Sequence, residues 1–171
     1  MNLLIFISIY LVASVAYAQK VYVVLEKFLS SQSFKTLALC RIVEDQNYLD
    51  IIKISTQYDI AVVFWNCSKL IEIDDSIIVF LEPEVHEISL ILKQPGVQKS
   101  LSSNVWLMFS SHSMIHSIPN YFKNSVLAVG LNANIFFVRS IEASGFDVEI
   151  TQMLGTGTKK GLFKVCKYLA T

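Results

Sequence analysis

Apolar runs of strand length alternate with segments of helical period along most of this 171-residue chain. The strand-like runs read TLALCRI, DIAVVFWN, SIIVFLE, NVWLMFSS, VLAVGL, NIFFVRS and FDVEI. Most of these runs are apolar almost without a break, which is typical of strands covered on both faces of a parallel sheet. A chain with this pattern is expected to form a sheet that lies between two layers of helices.

The segments between these runs place apolar residues at helical spacing. Residues 21–29 carry them at positions i, i+3, i+4, i+7 and i+8, and residues 44–58 and 84–94 also show helical spacing. Residues 113–124 predict a short helical or irregular link, because Pro119 interrupts them. Strands that alternate with helices predict βαβ units. The expected fold class is α/β, a three-layer sandwich around a mostly parallel sheet, with an antiparallel element near the C-terminal end.

The N-terminal stretch predicts the compartment. Residues 3–15 form an apolar run long enough for the core of a signal peptide and too short for a comfortable membrane span. The stretch ends in AYA, the small-x-small pattern of a cleavage site, so residues 1–18 are predicted to be a signal peptide removed between Ala18 and Gln19. An uncleaved anchor that continues through residues 21–25 is the alternative. Cleavage predicts a secreted, extracellular protein.

Composition fits one folded domain over residues 19–150. The chain is 53% hydrophobic and 16% charged, and its 14 basic and 14 acidic side chains balance. The apolar content suits a buried core. The zero net charge argues against a nucleic-acid partner, because nucleic-acid binding requires a strongly basic surface.

Three cysteines in an oxidising compartment leave one without a partner. Cys40 and Cys67 each lie near the end of a predicted strand, so a Cys40–Cys67 disulfide is the expected pair. A reduced Cys40 that packs as a small buried apolar residue is the alternative. Cys166 lies in the C-terminal segment.

Asn66-Cys67-Ser68 fits the N-glycosylation sequon. The sequon follows the end of a predicted strand, where a surface loop is expected. Cysteine in its middle position, and a disulfide there, would reduce its use. In a secreted chain, Asn66 is the predicted glycosylation site.

Polar residues gather where the predicted strands end, and ligands of parallel α/β sheets bind at those carboxyl ends. The residues concerned are Arg41, Asn66, Glu82, Ser110, Ser111 and His112. The guanidinium of Arg41 matches a carboxylate, so Arg41 and its neighbours Ser110, Ser111 and His112 form the candidate site for a small carboxylate or amine. A solvated Arg41 without a ligand is the alternative.

The sequence contains no recognisable catalytic or cofactor motif. The serines of the candidate site lack the G-x-S-x-G setting of a hydrolase nucleophile, and Asp74-Asp75 between two strands is typical of a polar turn. His112 and His116 are four residues apart, but no further ligand lies at metal-binding spacing. The chain is therefore expected to be non-enzymatic, without metal or cofactor.

Residues 153–163, MLGTGTKKGLF, hold the densest cluster of glycine and lysine. The dinucleotide fingerprint G-x-G-x-x-G requires glycine at position 160, where Lys160 stands. In a P-loop the lysine follows a glycine directly, whereas here Lys160 precedes Gly161. No phosphate site is predicted, and residues 151–171 are interpreted as a flexible or aberrant C-terminal extension.

The order of these segments resembles the extracellular N-terminal region of insect chemosensory ionotropic receptors, divergent relatives of ionotropic glutamate receptors. The resemblance covers residues 1–150: the signal peptide, TLALC with a cysteine near its end, IAVVFWN, SIIVFLEP, SSNVWLMFSS, LNANIFFVRS and GFDVEI. SNVWLMFSS, with Trp106, is similar to a tryptophan-bearing strand of that family. The likeness is to the branch associated with acids and amines.

The resemblance implies an α/β lobe related to periplasmic binding proteins. Within a full-length receptor this lobe would stand outside the cell membrane of a sensory neuron and act in receptor assembly or in modulation of a ligand-gated ion channel. The implied partners are other ionotropic receptor or co-receptor subunits. The family's ligand-binding lobes and pore helices lie outside the resembling stretch, so no agonist-binding or channel residue is carried over. A free secreted small-molecule-binding protein is the alternative function.

Overall fold

The computed structural model describes residues 24–26, 29–30, 34–40, 47–65, 69, 72–81, 83–110, 117–124, 133–140, 148–156 and 159–168. Seven strands in this part of the chain form one sheet: β1 (Thr36–Cys40), β2 (Ala61–Trp65), β3 (Ser76–Leu81), β4 (Val105–Ser110), β5 (Asn134–Ser140), β6 (Val148–Thr156) and β7 (Lys159–Tyr168). The helices are α1 (Asn47–Gln57), α2 (Val85–Leu92), α3 (Val97–Ser103) and α4 (Ser117–Asn124), and residues 24–26 and 29–30 are also helical.

The strands follow the order β2-β1-β3-β4-β5-β6-β7 across the sheet. The first five are parallel, and Thr36 of β1 aligns with Ala61 of β2 on one side and Ser76 of β3 on the other. β6 and β7 add an antiparallel pair. With helices on both faces, this arrangement confirms the predicted three-layer α/β sandwich with a mostly parallel sheet. Because β2 and β3 flank β1 on opposite sides, the first five strands have a doubly wound order with a switch point between β1 and β3.

One face of the sheet packs against α2, α3 and α4. Alternate residues along each strand point to this face, as the pleat requires. Its largest fully buried side chains are Phe80 of β3, Trp106 of β4 and Phe122 of α4. The ring centroids of Phe80 and Trp106 are 5.3 Å apart, and those of Phe122 and Phe137 are 5.7 Å apart in a T-shaped arrangement. Aromatic contacts therefore tie α4 and the central strands into one core.

The opposite face packs against α1 and the N-terminal helical residues. Val24, Leu25 and Leu29 are buried there, as the helical spacing of residues 21–29 predicts. From α1, Ile51 and Ile54 are buried. The central strands are therefore covered on both faces, which explains why their sequences are apolar without alternation.

β2 lies at an edge of the sheet, which corrects the interpretation of DIAVVFWN as a buried strand. The side chains of Val63 and Phe64 are 37% and 44% exposed, and Ala61 is exposed as well. Among the described strands, β2 pairs with β1 alone. An apolar run indicates strand propensity, and it does not indicate whether the strand lies at the centre or the edge of the sheet.

The C-terminal residues form a β-hairpin, which corrects the interpretation of residues 151–171 as a flexible or aberrant extension. β6 continues to Thr156, and β7 pairs with it from Thr156↔Lys159 to Val148↔Tyr168. Only two residues, Gly157 and Thr158, separate the strands, and they lie outside the described part. A two-residue connection that begins with glycine is typical of hairpins. The stretch MLGTGTKKGLF therefore belongs mostly to two paired strands.

A tight turn joins α2 to α3. The backbone N–H of Val97 donates to the carbonyl oxygen of Gln94 at 3.4 Å, and Gly96 has φ 84° and ψ −9°. These angles and Pro95 before the glycine match a type II turn, in which the third position favours glycine. The turn ends α2 where the sequence predicts. The sequence did not predict α3, because its residues VQKSLSS include few apolar positions. The predicted strand VLAVGL lies outside the described residues.

Candidate functional site

The carboxyl ends of the parallel strands lie together at one end of the sheet, the carboxyl end. In a doubly wound sheet the ligand crevice opens at this end, at the switch point. Here the switch point lies between β1, which ends at Cys40, and β3, which ends at Leu81. The carboxyl end of the sheet therefore has the topology expected of a ligand site.

Ser110 is the one predicted ligand-site residue within the described part of the chain. It is half-buried and is the last residue of β4. Its predicted companions Arg41, Ser111 and His112 lie outside the described residues, as do Asn66, Glu82 and His116, the glycosylation sequon and the cleavage site between Ala18 and Gln19. The grouping of Arg41 with these residues stays a prediction.

Arg139 is a cation near the carboxyl end of the sheet, and the sequence did not single it out. It is half-buried near the carboxyl end of β5, and its Nε atom is buried. The sheet register aligns it with Ser110 of β4 and with Glu149 of β6. The signal was available, because Arg139 is the penultimate residue of NIFFVRS, just as Arg41 is of TLALCRI. Arg139 therefore stands next to Ser110 in the strand register, close to the predicted ligand-site residue of β4.

Cys40 is disulfide-bonded, so the alternative of a reduced, buried Cys40 is wrong. The residue is 1% exposed, and the register aligns it with Trp65 of β2 and Phe80 of β3. The rings of Trp65 and Phe80 are 5.5 Å apart in a T-shaped contact. The predicted partner Cys67 lies outside the described residues. The bond therefore lies beside the switch point, at the end of β1.

A cleft of about 380 Å³ opens at the opposite end of the sheet, where the parallel strands begin. Its lining includes Glu72, Asp74, Gly96 and Lys99. The Nζ of Lys99 donates to Oδ2 of Asp74 at 2.7 Å, and the Oγ of Ser103 donates to Oδ1 at 2.9 Å. The hydrogen bond from Lys99, and after it that from Ser103, lowers the pKa of Asp74, and the same contact with Asp74 raises the pKa of Lys99. The charges of Asp74 and Lys99 are thus satisfied by partners within the chain.

Next to this cleft, the buried side-chain amide of Asn104 links three segments by hydrogen bonds. Its Oδ1 accepts from the Ser76 backbone N–H at 3.0 Å, and its Nδ2 donates to the Ile73 carbonyl at 2.7 Å and to Ser100 Oγ at 3.1 Å. The indole N–H of Trp106 donates to the Ser100 carbonyl at 3.2 Å. The polar groups of these residues satisfy one another, so this end of the sheet is a structural joint between segments that are distant along the chain. Asp74 and Asp75 are exposed and lie at a bend directly before β3, a position that suits a polar turn.

Within the described ranges, no three His, Cys, Asp or Glu side chains lie together as metal ligands would. No helix in the same ranges is long and apolar enough to cross a membrane. No protein-family model, curated protein or solved structure matches this chain. The features of this chain that indicate a site are therefore the strand order, the disulfide at Cys40 and the residues at the two ends of the strands.

Proposed function

We propose that the chain is a non-catalytic N-terminal ectodomain of a chemosensory ionotropic receptor, acting in receptor assembly or in modulation of a ligand-gated ion channel. The observation that carries the extracellular part of this proposal is the disulfide at Cys40. Disulfides persist in oxidising compartments and are rare in the cytosol. The bond agrees with the signal peptide predicted over residues 1–18.

The receptor part of the proposal draws on the segment order and on the sheet. A doubly wound parallel sheet covered on both faces is compatible with one lobe of a periplasmic-binding-protein-like domain. Such a lobe would contact other receptor or co-receptor subunits in front of the membrane of a sensory neuron. Its partners would be proteins, consistent with the balanced charge of the chain.

Reading the mature transcript beyond the codon for Thr171 tests the receptor proposal. An open frame that encodes ligand-binding lobes and pore helices is the expected result. Co-precipitation of the epitope-tagged product with co-receptor subunits, compared with an unrelated secreted α/β domain, then tests assembly. A stop codon that reproducibly follows Thr171 in mature mRNA would contradict the receptor proposal and favour the second candidate.

A free secreted protein that binds a small carboxylate or amine is the second candidate. It is favoured by the switch point between β1 and β3, where such sheets bind ligands, and by the cationic residue Arg41 that follows β1. A ligand that binds the folded state raises the melting temperature. We expect a panel of small carboxylates and amines to include one that does so.

Arg41→Ala should abolish the shift produced by a carboxylate. Lys93→Ala is the matched control. Lys93 is an exposed cation at the C-terminal end of α2, near the end of the sheet where the parallel strands begin and away from Arg41. The control should retain the shift. An unchanged melting temperature of the wild type across the panel, or an equal shift in the Arg41 variant, would argue against this site.

A further inference from the structure

We propose that the cleft where the parallel strands begin binds a small organic cation, an ammonium group attached to an apolar body. Glu72 is the ion partner of the ligand in this proposal. The cleft lies at the opposite end of the sheet from Ser110 and the carboxyl ends of the strands. The inference therefore goes beyond the proposed function, and it depends neither on receptor subunits nor on Arg41.

The cleft has the size and the apolar surface of a small-molecule site. Its volume is about 380 Å³, and such pockets usually measure about 300–1,000 Å³. Ile73 and Pro95 give it apolar surface, and Gly96 contributes backbone without a side chain. All of its lining residues belong to the described part of the chain. An organic molecule can therefore place an apolar body there.

The charges of the cleft favour a cation. The carboxylates of Glu72 and Asp74 and the ammonium group of Lys99 line it, which leaves an excess of one negative charge. Asp74 is already bonded to Lys99 and Ser103. Glu72 is exposed, and within the described ranges its carboxylate makes no hydrogen bond or ion pair. The carboxylate of Glu72 is therefore available to an incoming cation.

Glu72 already acts on the cation within the cleft. The bond to Asp74 is the main reason that the pKa of Lys99 is raised, and the nearby charge of Glu72 raises it further. The ammonium group of a ligand in the cleft would meet the same negative charge. An anion would be repelled by it.

Ser100 adds a buried polar group to the lining. It is 6% exposed, and its Oγ accepts from Nδ2 of Asn104 at 3.1 Å. A serine hydroxyl has one donor and two acceptor positions, and this hydroxyl makes no other hydrogen bond with residues that the structure describes. Ser100 can therefore accept an N–H of the ligand. A carboxylate, a hydroxyl and an apolar surface together match a small amine better than a hydrated metal ion.

Titration of the full, oxidised chain with n-butylammonium chloride, followed by amide NMR at constant ionic strength, tests the site. The expected result is a saturable change in chemical shift centred on residues 72–74 and 95–100. Sodium butyrate has a matched apolar chain with the opposite charge, and magnesium chloride has charge without an apolar body. Neither should produce this change.

Three variants identify the ion partner. Glu72→Gln should weaken the binding of n-butylammonium about fivefold, which is the effect of losing one exposed ion pair. Lys99→Met removes the cation that stands in the cleft and should tighten binding about threefold. Asp59→Asn is the matched control for loss of a carboxylate. Asp59 is exposed and does not line the cleft, and asparagine tolerates its positive φ of 55°, so this variant should bind like the wild type.

The absence of a saturable change with n-butylammonium, or equal affinities of Glu72→Gln and wild type, would overturn the proposal. Weaker binding by Lys99→Met would also contradict it, because Lys99 would then be a partner of the ligand. An equal response to magnesium would exclude an organic cation as the preferred ligand. Changes centred on Ser110 would count against this cleft and would support the second candidate function.

Discussion

Asn104 shows how one buried side chain joins segments that are distant along the chain. It contacts Ser76, which lies 28 residues earlier, and Ile73, which lies 31 residues earlier. Its amide satisfies a buried N–H and a carbonyl where the chain enters β3. Buried polar groups require such partners, because an unsatisfied group loses its hydration without compensation.

Asn104→Ala should lower the free energy of unfolding by about 1–3 kcal/mol, because it leaves the buried N–H of Ser76 without an acceptor. Urea unfolding of the oxidised protein measures the change. Ser102→Ala, at an exposed hydroxyl of α3, is the control and should change stability by less than about 0.5 kcal/mol. Equal effects of the two substitutions would refute the structural role of Asn104.

The Asp74–Lys99 pair should make a small, pH-dependent contribution. The pKa of Asp74 is lowered from 3.8 by its hydrogen bonds, so this stabilisation is present above pH 3.8 and is lost as the pH falls through the lower folded-state value. The pKa of Lys99 is raised from 10.5 by the same contact. The stabilisation that depends on the charge of Lys99 is therefore lost only as the pH rises above 10.5.

Lys99→Met should therefore have a lower urea midpoint than wild type at pH 7, and the difference should shrink on acidification below pH 3.8. Added salt should also reduce it, because both side chains are exposed. A difference that is constant from pH 7 to strong acid would show that the charges do not cause it.

At the scale of elements, the turn between α2 and α3 depends on a single backbone conformation. Gly96 has a positive φ, and it separates two helices that lie on the same face of the sheet. Val97 and Leu101 of α3 are buried in that face. The turn therefore determines whether a short, mostly polar helix can pack at all.

Gly96→Ala should destabilise the fold by about 1–2 kcal/mol, because a Cβ atom is disfavoured at this left-handed position. Gln98→Ala, two residues on and exposed, controls for changes in helix propensity. Thermal and urea unfolding of both variants measure the difference. A Gly96 variant as stable as the control would mean that the turn can relax to negative φ at no cost.

At the scale of the whole molecule, strand order determines which cysteine can reach Cys40. β1 and β7 are five strand spacings apart, which is about 24 Å at the usual separation of strands. The Cα atoms of a disulfide are usually less than about 7 Å apart. Cys166 lies within β7, and the chain has three cysteines, so the sheet favours Cys67 as the partner of Cys40.

Peptide mapping without reduction should therefore find the Cys40 peptide joined to the Cys67 peptide. Cys67→Ser should cost on the order of 3 kcal/mol, since it opens a loop of about 28 residues, and Cys166→Ser should keep the linked pair. Recovery of a Cys40–Cys166 peptide from monomeric protein would contradict the strand order.

The local periodicity and the apolar content of the sequence were enough to predict the fold class and most of the strands. They also predicted helix α1, which precedes β2 along the chain, and helix α2, which follows β3. These features depend on neighbouring residues, because side-chain direction repeats every two residues in a strand and about every 3.6 in a helix. The same reasoning selected Ser110 at a strand end and predicted the turn at Asp74.

Only the tertiary structure decided that β2 is an edge strand, that MLGTGTKKGLF enters a hairpin and that Asn104 joins two distant segments. Each of these facts depends on which strands become neighbours, and neighbours in the sheet are far apart along the chain. An apolar run such as AVVFW reads the same at the centre of a sheet and at its edge. The sequence by itself therefore determined the elements, and the strand order determined which of their surfaces are buried, bonded or left open.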